Sequence, residues 1–279
     1  MRKYGLIIIA GICLAVLVFG HLHWKNISQA AGAEAREAAA KLKEKEKEER
    51  EALIQSLNPE NNKQQPLIDY LHYKSLTQER VIVSLLGSNG TSGTGASKTS
   101  NSWAGRLEKS LRADRDDLET LSFINHGHEG YSTEDLIKGK KIEAVIQDDP
   151  DLIIFENSLI NNHYQSLSLE QTKKDLESIM TKFQKELPNA KILIISPSPV
   201  ANGKMENSLG LNYLDYIHAS EQVINTNKWN YMNSKEGIEK KLKEKNMRLA
   251  DILTNDNIHL NDQGHYIWFE VMQEYFKLK

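Results

Sequence analysis

The stretch VIVSLLGSNGTSGTGAS, residues 81–97, joins an apolar run to a loop with four glycines, at 87, 90, 93 and 95. A short apolar run ending in turn residues reads as a strand buried on both faces. Four glycines in one loop mean that backbone, rather than side chains, approaches something at the end of that strand. Comparable runs recur as LETLSFIN at 118–125, DLIIFE at 151–156 and KILIIS at 191–196. Amphipathic stretches at 102–111, 133–147 and 169–187 separate them, and three further helices are predicted near 207–225, 234–246 and 262–278. Strands alternating with helices build βαβ units, so residues from about 67 onward predict a three-layer α/β domain on a parallel sheet. Ligands in such sheets sit at the carboxyl ends of the strands, which makes the residues after each run the functional candidates.

The glycine loop fits neither common phosphate cradle. A P-loop needs G-x-x-x-x-G-K-[ST]; Lys98-Thr99 supplies the end, but the glycine positions hold Ser92 and Ser97. The dinucleotide fingerprint G-x-G-x-x-G also fails, because the glycines here follow G-x-x-G-x-x-G-x-G.

Upstream of the domain, MRKYGLIIIAGICLAVLVFGHLHWK has no Lys, Arg, Asp or Glu between Lys3 and Lys25. As a helix those residues span about 30 Å, the thickness of a bilayer's hydrocarbon core. Arg2 and Lys3 in front favour a cytoplasmic N-terminus. The expectation is a single-pass anchor at 1–25 in the cell membrane, with the rest of the chain extracellular. A cleaved signal peptide is the rival, with Ser28-Gln29-Ala30 as its small-x-small site, though the apolar run is long and the site lies far beyond it. Residues 31–57 are rich in helix formers, with favourable Glu37–Lys41 and Glu46–Arg50 pairs but no sustained heptad seam. Together with NPENNKQQP at 58–66 they read as a charged helical stalk and linker over 26–66, leaving 67–279 as the functional domain.

The 279 residues carry a formal net charge of -3 and one cysteine, Cys13, inside the apolar span. The absence of a basic excess argues against nucleic acid as a partner. With no cysteine downstream, the domain has no internal disulfide, no Cys nucleophile and no Cys-based zinc site.

Four blocks follow the strand ends in order. They are Gly87-Ser88-Asn89-Gly90-Thr91-Ser92-Gly93; His128-Glu129-Gly130-Tyr131-Ser132-Thr133; Phe155-Glu156-Asn157-Ser158-Leu159-Ile160-Asn161-Asn162; and Asp256-Asn257-Ile258-His259 with Asn261-Asp262-Gln263-Gly264-His265. Together they resemble the blocks of the SGNH/GDSL hydrolase family over roughly residues 67–279. The resemblance implies a flavodoxin-like α/β domain that hydrolyses esters without a cofactor. Ester cleavage needs a hydroxyl nucleophile, a base, a group orienting the base, and donors for the oxyanion. By resemblance His259 is the base and Asp256 its orienter. Gly130 through its backbone N–H, Asn161 through its side chain and the backbone N–H of residue 89 are the donors.

The first block departs from the family's G-D-S-x-T-x-G. Gly87, Thr91 and Gly93 stay in register, but Ser88 stands at the Asp position and Asn89 at the nucleophile position. An amide leaves histidine no proton whose removal gives a useful nucleophile. A hydroxyl could come instead from Ser88 after a one-residue shift of the loop, or from Ser92. In the third block Leu159 and Asn162 replace the family's Gly and Asp. His126, His128, Glu129 and His265 have metal-ligand character, but no three-ligand set emerges, and no metal is expected. Trp103 reads as core. Two functions follow as expectations: an esterase or deacylase acting on O-acyl esters of envelope glycans or lipids, or a catalytically impaired relative that binds acylated glycan in the same cleft.

Overall fold

The computed structural model describes residues 2–62 and 65–278. Lys63 and Gln64 of the linker lie outside the described residues. The chain forms two compact units, 1–56 and 57–279. The first is helix α1, Arg2–Leu57, in which apolar span and charged stalk run without a break. Its N-terminal part is the one described helix long and apolar enough to cross a membrane. The i,i+4 pair Glu37–Lys41 is made on its surface, joined by Lys45–Glu49 and Lys47–Glu51.

The second unit begins with α2 (Leu67–Thr77), followed by β1 (Ile82–Gly87) and the one-turn helix α3 (Asn89–Ser92). Then come α4 (Trp103–Asp114), β2 (Ser122–Gly127), α5 (Thr133–Lys138), α6 (Lys141–Gln147) and β3 (Leu152–Glu156). After these lie α7 (Leu159–Tyr164), α8 (Leu169–Glu186), β4 (Lys191–Ile195), α9 (Tyr213–Asn227), the two-residue β5 (Tyr231–Met232), α10 (Ser234–Glu244) and α11 (Asp262–Phe276). All pairings in the five-stranded sheet are parallel, and the order is β2-β1-β3-β4-β5. This is the flavodoxin-like order, with its switch point between β1 and β3.

Period-two alternation along fully buried strands divides the core between the two faces. Val83, Leu85, Ile154, Leu193 and Ile195 pack with residues of α2, α4, α10 and α11. Leu86, Ile153, Phe155, Ile192 and Ile194 pack with residues of α5, α6, α8 and α9. Several predicted boundaries move. Residues 118–121 are not strand: Leu118 and Leu121 close the core under a short 3-10 turn, and β2 starts at Ser122. The 133–147 stretch is two helices, because Gly139 ends the first and Lys140 (φ 55°) turns the chain into the second. α9 starts at Tyr213 rather than near 207, where Asn212 caps it by accepting from the Leu214 N–H. Strand β5 and helices α2 and α7 were absent from the sequence-based element pattern.

Candidate active site

Each of the four blocks lies on the carboxyl-end side of the sheet. The Asp256–His259 turn sits in a small hairpin closed by the antiparallel bridge between Leu253 and Leu260. Thr254 N–H donates to the His259 carbonyl, and Asn257 takes a left-handed φ of 60° to complete the turn. Asn261 caps α11 through the Gln263 and Gly264 N–H groups, while its own amide donates to the Asp251 and Leu253 carbonyls. Within the turn, Asp256 accepts from Thr254 Oγ1, from the backbone N–H groups of Ile258 and His259, and from His259 Nδ1 at 2.6 Å. Partial burial pushes the Asp256 carboxyl up, but these four donors outweigh it and hold the group well below the usual carboxylate range.

Gly130 lies in a turn after β2 with φ 78°, the left-handed region that favours glycine. The turn is tied down on both sides. Ser132 and Asp135 form a capping box at the start of α5, and Gln165 Nε2 donates both to the Gly130 carbonyl and to Asp135 Oδ2. Asn161, on α7, spends one amide hydrogen on the Tyr131 carbonyl at 3.0 Å, which orients the other. Asn162, at the family's Asp position, is fully buried and structural. It accepts from the Thr133 N–H and donates to the Thr133 and Thr172 hydroxyls.

These elements converge on Asn89. Its Oδ1 accepts from the Gly130 N–H at 2.6 Å and from Asn161 Nδ2 at 3.1 Å. Its Nδ2 lies 2.6 Å from His259 Nε2. An amide nitrogen can only donate, so Nε2 is the acceptor, and the imidazole proton is on Nδ1, facing Asp256. The side chain of Asn89 therefore occupies two places at once: its nitrogen stands against the His259 imidazole, and its oxygen sits between two N–H donors. A relay of carboxylate, imidazole and convergent donors can polarise a carbonyl and move a proton. It lacks a hydroxyl at the position the imidazole faces.

The structure does not bring Ser88 to this cluster. Ser88 is fully buried, and both its N–H and its Oγ donate to the carboxyl of Glu156 at the end of β3. Thr91 Oγ1 donates to the same carboxyl at 3.0 Å. A shift presenting Ser88 to His259 would break all three bonds. Gly87 also allows no such rearrangement lightly, since a Cβ there would meet Thr91 Oγ1 and the Glu156 side chain. Ser92 is engaged as well, through the Asn89 carbonyl and the Thr94 hydroxyl. Glu156 is thus the residue that sequence reasoning left without a role. The end of β3 brings a carboxyl to Ser88 and Thr91, and the available signal was one acidic residue closing an otherwise apolar strand. Burial pushes this carboxyl above its ordinary range, against the pull of its hydrogen-bond donors.

On its other side the turn is wedged by tryptophans. Trp103 Nε1 donates to the Gly90 carbonyl, and the Trp103 ring stacks on Trp268 with centroids 5.1 Å apart. A Cβ on Gly90 would lie 2.8 Å from the Trp268 ring. The histidines with metal-ligand character are dispersed. His126 pairs with Asp148, and His265 uses both ring nitrogens on backbone groups of Thr94 and Trp103. Among the described residues no group of three or more His, Cys, Asp or Glu side chains could hold a metal ion. A cavity of about 20 Å³ lies beside the cluster, lined by Asn89, Glu156, Ile160, Ser198 and His259 among others. A larger cleft of about 740 Å³, lined in part by Pro66, Trp229 and Tyr275, holds none of the candidate residues.

The 2-1-3-4-5 parallel sheet with its blocks at the switch point is the architecture of flavodoxin-like SGNH hydrolases. Residues 85–267 match the sequence pattern of the GDSL-like Lipase/Acylhydrolase family, and the chain belongs to that family. No curated protein sequence matches the chain. Solved structures share the fold at low identity. A Parabacteroides merdae protein named for its likeness to GDSL lipases is 15% identical with a TM-score of 0.59, covering 72% of this chain and 97% of its own. A variant of an acetylxylan esterase from Geobacillus stearothermophilus is 15% identical with a TM-score of 0.57, covering 71% and 95%. A two-domain esterase active on acetylated mannans is 18% identical with a TM-score of 0.55, covering 71% of this chain and 49% of its own.

Proposed function

We propose that the domain recognises O-acyl groups, on envelope glycans or lipid esters, in a site whose turnover is blocked by Asn89. The observation that carries this reading is the double occupancy by the Asn89 amide, with nitrogen on His259 and oxygen on Gly130 and Asn161. The substrate class is supported by the fold neighbours that act on acetylated xylan and mannan. Asn89→Ser tests the proposal. With base, orienter and donors already assembled, the substitution raises turnover of short acyl esters by about 10⁴- to 10⁶-fold, the range spanned by triad removals in proteases. Adding His259→Ala abolishes the gain. A variant that folds and binds acylated glycan but gains no turnover argues against Asn89 as the block.

A second reading, an active esterase, draws support from the Asp256–His259 pair, whose hydrogen bonding is that of a working base. It requires wild-type turnover that Ser88→Ala removes and Asn89→Ala leaves intact.

For location, we propose that α1 anchors the chain in the cell membrane with the domain outside, on the strength of the uncharged span behind Arg2 and Lys3. Protease added to intact cells then digests the domain, and the full-length N-terminus stays with the membrane fraction. A soluble product beginning near Ala31 contradicts the anchor.

A further inference from the structure

We propose that Asn89 is itself a substrate of this site: His259-assisted hydrolysis converts its side-chain amide to a carboxylate and releases ammonia. The inference rests on reading Gly130 and Asn161 as carbonyl-oxygen donors and His259 as the base. Amide hydrolysis needs help at two atoms, the oxygen that becomes negative and the nitrogen that must leave with a proton. Both atoms of Asn89 are already in contact with groups of the right chemistry. Oδ1 accepts from the Gly130 N–H at 2.6 Å and from Asn161 Nδ2 at 3.1 Å, and Nδ2 lies 2.6 Å from His259 Nε2. His259 is backed in turn by Asp256 at 2.6 Å. The third requirement is a nucleophile. The cavity of about 20 Å³ between Asn89, Ser198, Glu156 and His259 is large enough for one water and has polar groups to hold it.

The step balances without any other co-reactant. The water oxygen bonds to Asn89 Cγ while one water proton passes to His259 Nε2, and Asp256 stabilises the imidazolium. The carbonyl oxygen takes the negative charge between Gly130 and Asn161. The Cγ–Nδ2 bond then breaks, His259 returns its proton to the leaving nitrogen, and ammonia departs. The carbonyl re-forms, leaving a carboxylic acid that ionises.

The chain contains its own comparison. Asn89 and Asn202 are each followed by glycine, and Asn202 lies in an exposed turn without these partners. An Asn-Gly pair also loses ammonia unaided when the glycine nitrogen attacks the side-chain carbon, and the resulting cyclic imide opens to a mixture of aspartate and isoaspartate. Direct hydrolysis at Asn89 gives aspartate alone.

The test keeps the full chain, detergent-solubilised, in heavy-oxygen water at neutral pH, and then resolves the peptides containing Asn89 and Asn202 by mass spectrometry. The expected result at Asn89 is incorporation of one heavy oxygen and a single aspartate product. His259→Ala slows that conversion about 10²-fold or more, the scale of general acid–base assistance, without changing Asn202. His259→Gln gives the same slowing and guards against a misfolded alanine variant. Wild-type Asn89 that stays an amide while Asn202 converts overturns the proposal without any variant. An isoaspartate mixture at Asn89 that is indifferent to His259 overturns it too. If Asn89→Ser hydrolyses esters while wild-type Asn89 stays an amide, the reading of the site stands and only this proposal falls. His259-dependent conversion at Asn89 supports the proposal even if Asn89→Ser is inert on every ester.

Discussion

Two turns face each other across the His259 imidazole, and they are held by opposite means. The 254–261 hairpin is nearly self-sufficient: Asp256 takes its donors from Thr254, Ile258 and His259, and Asn261 closes the loop from its own segment. The 87–93 turn depends on distant groups. The Ser88 and Thr91 hydroxyls and the Ser88 N–H end on Glu156, the Gly90 carbonyl on Trp103, and the Thr91 carbonyl on Asn125. A turn built from its own residues keeps its chemistry wherever the chain carries it. A turn built on remote partners can change a residue and be re-supported from elsewhere, as Glu156 supports Ser88.

The sharpest way to exploit the difference is to restore the hydroxyl and then dismantle the opposite turn. In an Asn89→Ser background, Asp256→Ala lowers kcat about 10⁴-fold, because nothing then fixes the His259 tautomer. A drop of only a few-fold would mean that the hairpin does not serve the imidazole. Asn161→Ala in the same background removes one carbonyl-oxygen donor and costs about 10²- to 10³-fold in kcat with little change in KM. A KM effect without a kcat effect would assign Asn161 to substrate binding instead.

The two carboxyl groups give a comparison of stabilities with opposite signs. Asp256 titrates below its ordinary value in the folded state, so its contribution is present above the usual aspartate range near about 3.9 and is lost as pH falls through the folded value. Glu156 titrates above its ordinary value because it is buried. Its folded state binds the proton more tightly, so stability falls as pH rises from about 4.3 through the raised folded value. Denaturant unfolding of Glu156→Gln across pH checks this: the decline belongs to the wild type and disappears in the variant. Glu156→Ala, which strands the Ser88 and Thr91 donors in the core, costs about 3 kcal/mol at neutral pH. A loss below about 0.5 kcal/mol would mean that the turn stands without its remote support.

The same contrast explains what the sequence disclosed. Strands β1, β3 and β4, buried on both faces, were legible as apolar runs, because such strands need no polar alternation, and the partly exposed edge strand β2 was legible only in part. β5 was not, since two residues, Tyr231 and Met232, carry no period. The Asp256-x-x-His259 pair was legible because its spacing is its geometry. The fate of Ser88 was not, because it depends on Glu156, 68 residues away in sequence, and on packing between strands β1 and β3. Asn89 was legible as a departure, but its amide spanning His259, Gly130 and Asn161 appears only when three strand ends and the 254–261 hairpin meet.

The central claim is that Asn89 stands in the nucleophile's place within an otherwise assembled site. Labelling with a serine-reactive fluorophosphonate, read by mass at the modified residue, tests it most directly. The account predicts no adduct on the wild-type chain, and a single adduct at position 89 of the Asn89→Ser variant that disappears when His259→Ala is added. An adduct on wild-type Ser88 would contradict it.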